Sequence, residues 1–373
     1  MLRSIDLFTG IGGMTIGLHG IATPSLYCDI APQSQAVIKH RIETGSLPAA
    51  PIMTDVRQVD CSNVKVDMIC AGFPCVGFSV MGMQKAFANR ESGLFHEVLR
   101  ICDTCSPPLI FLENVSNVLR IGMPVIIDEL SVKRGYELRW CLVSAESMGA
   151  PHVRSRWFCL AVRPGFTWAF ESSKYTPYPW TQEVASSIVR TSPEVNEDRC
   201  GLLGNSVVPD AVRYAFLFLA GRNSEVVTKL DVNAGFAILP SQETKKMTKI
   251  TQKVPRSGIV EAWSHDIIAR GDPRAFRMSA VEGPVIDPES YRSAKPPSPL
   301  LKTPFIRKVV RMARWSTPRH SLTGPCNYLT ERSIRDLPTQ VRFEVNTIDR
   351  DNNVSPEFIE FMMGFPIGWT KLA

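Results

Sequence analysis

Five stretches of this sequence carry groups able to do chemistry. The run "DMICAGFPCVGFSVMG" (residues 67–82) ends its apolar half on Phe73, Pro74 and Cys75 and then breaks into Gly, Phe and Ser. A cysteine in that place can be a packed small hydrophobe, a metal ligand or a nucleophile. A second run, "FLENVSNV" (111–118), ends on Glu113 and Asn114, and "DLFTGIGG" (6–13) follows a third with Gly10, Gly12 and Gly13. Asp29 and Asp55 close "SLYCDI" and "PIMTDV". Pro74 fixes the backbone on one side of the thiol and Gly77 frees it on the other, so Cys75 is presented at a rigid edge. Glu113 at the end of the neighbouring strand places a carboxyl group beside it, and a nucleophile next to a group able to act as general acid is a catalytic arrangement. That pairing decides against simple packing. The glycines bring bare backbone against a ligand, but without the spacing of a dinucleotide fingerprint or a phosphate-binding loop. With an acid after each of the next two strands, they read as a nucleoside site with no phosphate-binding device.

The elements that must position these groups follow from patterning. Short apolar runs, "SIDLF", "SLYCDI", "PIMTDV", "VDMICAGF", "PLIFLEN", "LRWCLVSA" and "RWFCLAV", alternate with segments whose apolar residues fall three and four apart. Those helical segments are "SQAVIKHRIE", "GLFHEVLRIC" and "MPVIIDELSVKRG", the last closed by Gly135. The pattern predicts an α/β fold, a doubly wound, mostly parallel sheet of Rossmann-like kind, with a second, smaller irregular domain. Such sheets bind ligands beyond the carboxyl ends of their strands, where Gly10 to Gly13, Asp29, Cys75 and Glu113 all fall. Residues 1–221 form the expected catalytic domain. From Gly165 the chain turns aromatic and irregular, and "CGLLGNSVVPDAVRYAFLFLAG" then predicts a turn and a helix through Val212, Phe216 and Leu219. Residues 222–373 read as the second unit, Pro-rich around "PSPLLKTPF", with "FIEFMMGFPIGWT" expected to pack the small domain on the large one.

Charge is unevenly placed. Residues 1–221 carry 19 Lys and Arg against 20 Asp and Glu, whereas residues 222–373 carry 23 against 16, so the net +6 belongs to the second unit. A basic segment beside a neutral one points to a polyanion such as nucleic acid, or to an ordinary solvated surface. The 10 cysteines show no regular spacing, which suits a reducing compartment and free thiols. Cys102 and Cys105 lack a second pair to complete a metal site, and no metal is expected. No apolar run reaches the length of a membrane span and the start lacks a signal-peptide succession, so an intracellular protein is expected.

Five blocks, "DLFTGIGG", "GFPCVGFS", "LENV", "GAPHVRSRWF" and "GNSVVP", between residues 5 and 209, resemble in order the signature blocks of the cytosine-C5 DNA methyltransferases. The resemblance implies that Cys75 is the nucleophile that adds to ring carbon 6 of a flipped cytosine, and that Glu113, held protonated, supplies the proton or hydrogen bond at ring N3. Arg154 and Arg156, alternating on one strand, match the paired arginines that contact the target nucleotide and support the intermediate. The methyl donor implied is S-adenosyl-L-methionine. Its methionine end would lie against Phe8, Gly10 and Gly12, its ribose on Asp29 and its adenine on Asp55. Pro74, Asn205 and Ser206 complete the pocket, and Leu94 either packs near the donor or belongs to the core. The partner implied is double-stranded DNA, read by a monomer; the same chemistry on RNA, or a methyltransferase-like DNA-binding protein without activity, are the alternatives.

The sequence departs from the family's pattern in three places. Val76 follows Pro74-Cys75 where Gln is common, and His152 stands where Gln precedes the arginines. The recognition region of most relatives lies between the arginine block and the Gly-Asn-Ser-Val block, yet fewer than 50 residues separate Arg156 from Gly204. Residues 222–373 instead hold "ARWSTPRHSLTGPCNYLTERSIRDLPTQ" and "SPEFIEFMMGFPIGWT", which resemble the segment that usually precedes that block in phage-type and viral members. A rearranged enzyme is expected, with recognition at the carboxy terminus. Arg314, Arg319 and Arg332 are candidate phosphate partners, and Gly77 to Gly82 a loop over the flipped base with Ser79 as a phosphate contact.

Overall fold

A computed structural model describes residues 1–62, 64–74, 94–167, 176–180, 189–190, 196–220, 318 and 353–372. Cys75, Val76, the 77–82 loop, Arg314, Arg319, Arg332 and nearly all of 222–352 lie outside the described residues.

All seven apolar runs form strands of one sheet: β1 (Leu2–Leu7), β2 (Ala22–Cys28), β3 (Ile52–Met53), β4 (Met68–Ala71), β5 (Leu109–Val115), β6 (Glu137–Ser144) and β7 (Ser155–Val162). Their order across the sheet is β3-β2-β1-β4-β5-β7-β6. The first five run parallel, and β7 enters antiparallel between β5 and β6. The order reverses between β1 and β4, and a crevice opens there above the carboxyl ends.

Side-chain alternation along the buried strands feeds two separate cores, one on each face of the sheet. Ile5, Leu7, Ile69, Ile110, Leu112 and Trp157 pack with helix α3 (Phe95–Cys105) on one face. Tyr27, Met68, Phe111 and Phe158 pack on the other, with α1 (Gly13–Gly17), α2 (Pro32–Glu43) and α7 (Pro209–Leu219). Both layers are therefore filled, which is the doubly wound arrangement. The segment "MPVIIDELSVKRG" is helical in pieces: α4 (Val118–Ile121) precedes it, α5 (Met123–Ile126) starts it, and Ile127–Val132 is π-helical. Gly135, at φ +73°, closes it as expected. Cys102 and Cys105 are packed thiols, bonded to the Tyr136 hydroxyl and the Ile101 carbonyl oxygen.

Two close approaches explain glycines in and just after the first block. A Cβ on Gly17 would lie 2.5 Å from the Pro209 carbonyl oxygen, and one on Gly13 would lie 2.8 Å from that of Val207. Only bare backbone lets α1 sit this tightly on α7, which brings the Gly-Asn-Ser-Val block against the glycine turn. That block ends α6 (Asn196–Asn205).

The end of the chain, expected to join the small unit to the large, is part of the large unit's core. Asn353–Val354 (β9) pairs with Val189–Arg190 (β8), and α8 (Pro356–Met363) buries Phe358, Ile359, Met362 and Met363 in the same cluster as Ile11 and Val212. Ser355 caps α8 by accepting from the Phe358 amide at 3.1 Å. Trp180, from the irregular aromatic stretch, donates to the Phe361 carbonyl at 2.9 Å.

Candidate active site

The turn after β1 is left-handed at three of five residues: Phe8 (φ +57°), Gly10 (+57°) and Gly12 (+90°). Thr9 pins it to β2, its hydroxyl donating to the Asp6 carbonyl at 2.7 Å and accepting from the Cys28 amide at 3.2 Å. Asp29 pins it again, accepting from the Gly10 amide at 2.7 Å and from the Ala31 amide at 2.9 Å. Burial raises the Asp29 carboxyl above the usual range, and these backbone amides pull it back down. A Cβ on Gly10 would meet nothing within 4 Å, so the turn presents an open, side-chain-free face above the strand ends. A side-chain-free stretch of backbone beside an acid suits the methionine end and ribose of a nucleoside-bearing donor.

Beneath the turn, Asp6 is buried and receives the Thr15 hydroxyl at 2.7 Å. Burial, with Asp29 nearby, pushes its carboxyl up from 3.8 to about 7. A carboxyl whose folded value is raised favours the fold while it stays protonated, and that advantage disappears as pH rises from about 4 through about 7. Asp6→Asn, which cannot ionise, is accordingly expected to raise the melting temperature above neutrality and to leave it nearly unchanged in mild acid. Melting curves of both proteins across that window test this; a difference independent of pH would exclude Asp6 as the titrating group.

Asp55 behaves differently from Asp29. It caps the 3₁₀ turn Val56–Gln58 and takes four bonds from Arg57, from its amide (3.0 Å), from Nε to both oxygens (2.9 and 3.0 Å) and from Nη2 (2.7 Å). These hold its carboxyl below the usual range. The acid expected to meet adenine is thus already engaged by a neighbouring arginine. Phe8, Met53 and Leu94 are each partly buried and packed against the same core cluster, which gives Leu94 a place at the edge of the core.

The crevice's second wall is β4 with β5. Asn114 donates from Nδ2 to the Phe73 carbonyl at 2.9 Å, and Phe73 packs on Phe95 at 5.2 Å between ring centroids. Asn114 therefore fixes the backbone immediately before Pro74 and Cys75, a function its sequence position did not reveal. A Cβ on Gly72 would lie 3.2 Å from Glu113 Oε2, so this glycine makes room for the carboxyl at the end of the strand leading to Cys75. Burial raises the Glu113 carboxyl, and Arg156 first, then Arg154, oppose the rise. Arg156 Nε lies 3.1 Å from Glu113 Oε1.

The two arginines are not equivalent. Arg156 lies on β7, opposite Val115. Arg154 precedes that strand, is buried, and donates to the carbonyls of Gly204 (2.8 Å), Ser206 (2.7 Å) and Pro318 (3.0 Å). Strand alternation therefore does not govern the pair. Arg154 holds backbone, and Arg156 makes an ion pair with Glu113. Ser206 is buried, its hydroxyl on the Leu203 carbonyl at 3.1 Å, whereas Asn205 is exposed at the end of α6. His152, 1% exposed, has no hydrogen-bond partner on either ring nitrogen among the described residues. Burial and the two arginines lower it to about 3, so it is a neutral imidazole. Among the described residues no helix is long and apolar enough to cross a membrane.

The sequence is similar to known proteins along most of its length. The family described as C-5 cytosine-specific DNA methylase matches residues 2–352. The type II methyltransferase M.CviJI of Paramecium bursaria Chlorella virus IL3A is 32% identical over 372 residues, covering 97% of this chain and 96% of the viral protein. The bacterial type II methyltransferases M.MspI of Moraxella sp and M.HhaI of Haemophilus parahaemolyticus are 31% and 28% identical over 167 residues. Each match covers 43% of this chain, and 38% and 49% of the respective bacterial protein.

Proposed function

This chain belongs to the C-5 cytosine-specific DNA methylase family and is a DNA cytosine methyltransferase; from that premise we propose that it works through a covalent adduct between Cys75 and a flipped cytosine. Ring carbon 5 of cytosine is too weak a nucleophile to take a methyl group unaided. The Cys75 thiolate adds to ring carbon 6, and the displaced electron density collects on carbon 5 and N3. Glu113, protonated, donates to N3 as that charge develops. Bound S-adenosyl-L-methionine supplies an electrophilic methyl group, in a pocket formed by Phe8, Gly10, Gly12, Asp29, Asp55, Pro74, Asn205 and Ser206. Once carbon 5 carries the methyl, water takes its remaining proton, Cys75 leaves carbon 6 as the thiolate, and N3 returns its proton to Glu113. Arg156 balances the Glu113 charge when the carboxyl is ionised, and Arg154 holds the Gly204–Ser206 backbone in place.

No thiol reaches carbon 6 inside a stacked duplex, so the base leaves the helix first. Residues 222–373 supply recognition of double-stranded DNA, their basic excess meeting phosphates while side chains read base edges. The protein acts as an intracellular monomer, in DNA modification of the type II kind.

The observation that supports this reading most directly is the Glu113 carboxyl. It is buried against Gly72 at the entrance to Pro74 and Cys75, where burial favours the protonated form the reaction needs. Incubation with labelled donor and mixed-sequence DNA or RNA, followed by bisulfite mapping, tests it. Label at cytosines of double-stranded DNA is expected; transfer to RNA alone would sink the DNA assignment, and donor binding without transfer would leave a binding protein.

A further inference from the structure

The segment that closes the described chain reaches three parts of the proposed donor pocket, although no motif assigns it there. Trp369, 4% exposed, donates from its indole Nε1 to the carbonyl of Ile11, between Gly10 and Gly12, at 2.8 Å. Arg41 stands on α2, the helix that follows Asp29. Its Nε donates to the Trp369 carbonyl at 2.8 Å, and its Nη2 donates to those of Gly368 (2.6 Å) and Lys371 (2.9 Å). The same guanidinium lies 5.2 Å from the centroid of the Trp369 ring. Glu360, fully buried on α8, accepts from the amides of Gly368 (2.6 Å) and Thr370 (2.8 Å) and from Arg199 Nη2 (3.2 Å). Arg199 belongs to α6, the helix ending in Asn205. Turn, Asp29 helix and Asn205 helix are tied by one short stretch of chain.

A turn with three left-handed residues does not hold its own shape, and Phe8 pays a steric penalty that glycine would avoid. The Ile11 carbonyl sits in a fully buried residue and needs a hydrogen-bond partner. Trp369 is that partner. Without it, the Ile11–Gly12 peptide keeps the Gly12 amide's bond to the Thr9 carbonyl at 3.1 Å but loses the partner of its own carbonyl, and the backbone face of Gly10 and Gly12 loosens with it.

We infer that Trp369 is a positioning residue for the methyl donor, acting through the Ile11 carbonyl to hold the glycine turn in its binding shape. The inference rests on the reading that the donor binds at that turn. It also gives the proposed recognition region, at whose carboxy-terminal end this segment lies, a physical connection to donor affinity.

Trp369→Phe keeps an aromatic ring and removes the donor N–H. Trp180→Phe is the matched control: it removes an indole hydrogen bond to α8, at Phe361, and does not touch the turn. Calorimetric titration of the full chain with S-adenosyl-L-methionine is expected to show affinity about tenfold weaker in Trp369→Phe, the effect of one lost buried hydrogen bond. The kcat at saturating donor and the KM for DNA should stay at wild-type values, and Trp180→Phe should bind donor as wild type does, whatever its melting temperature. Wild-type affinity in Trp369→Phe would overturn the inference, as would equal weakening in both variants, which would indicate general loosening. Failure of the wild-type protein to bind donor would instead sink the reading of the turn. If Trp369→Phe does not fold, Arg41→Gln loosens the same segment with the indole in place; weakened donor binding supports the inference and unchanged affinity overturns it.

Discussion

Glu113→Gln is expected to lower kcat by roughly a hundredfold or more while leaving donor affinity and folding intact, the usual loss when a positioned general acid is removed. Burial against Gly72 raises the carboxyl, Arg156 at 3.1 Å lowers it, and burial dominates, so the protonated form stays populated to higher pH than in an exposed glutamate. Only that form can deliver a proton to N3. As pH rises through the raised value the proton is lost, and kcat of the wild-type enzyme is expected to fall on its alkaline side. Glutamine still offers an N–H but has no proton to transfer, so the variant should run at a low rate without that limb. A modest fall in melting temperature is expected, because removing the charge relieves desolvation but leaves Arg156 without the carboxylate of a largely buried ion pair, 19% and 14% exposed. Measuring kcat against pH for both proteins under saturating donor and DNA checks this. If Glu113→Gln keeps both the wild-type rate and the alkaline limb, another group carries the proton.

Most of the sheet was legible because local signals and tertiary environment agree. Strands buried on both faces read as short continuous apolar runs, and three of the seven runs carry an acid at or just before their ends, Asp29, Asp55 and Glu113. Strand-end chemistry was legible for the same reason, since a sheet with its strand order reversed between β1 and β4 gathers its carboxyl ends at one crevice. What was not legible depends on contacts distant in sequence or on where an element begins. The Trp369 bond to Ile11 spans 358 positions, and no periodicity encodes it. Arg154 and Arg156 look equivalent by alternation, but the strand starts at Ser155, so the rule does not reach Arg154. Asp55 looks equivalent to Asp29 by position, yet Arg57 two residues on engages it. Asp6 sits in an apolar run whose pattern gives no hint that its carboxyl is bonded to Thr15 and raised toward neutrality.

Cys75→Ser is expected to abolish methyl transfer and, with it, covalent trapping of the enzyme on DNA containing 5-fluorocytosine. The chemistry requires an anion that forms readily, attacks a polarised ring carbon and leaves again at the end. A thiol ionises with a value near 8.5, whereas an alcohol stays protonated across the working range and expels poorly from carbon 6. Serine therefore fails at both the first step and the last, and no neighbouring group compensates, because Glu113 is arranged to give a proton and not to remove one. The substitution is small and falls one residue after Pro74, whose approach is fixed by the Asn114 bond to the Phe73 carbonyl. Donor affinity and the melting temperature should accordingly match wild type, separating lost chemistry from lost structure. Denaturing electrophoresis after incubation with 5-fluorocytosine duplex and donor reads the adduct directly. A trapped species in Cys75→Ser would mean that a different nucleophile attacks the ring, while loss of donor binding in the same variant would mean that Cys75 supports the pocket and not the bond.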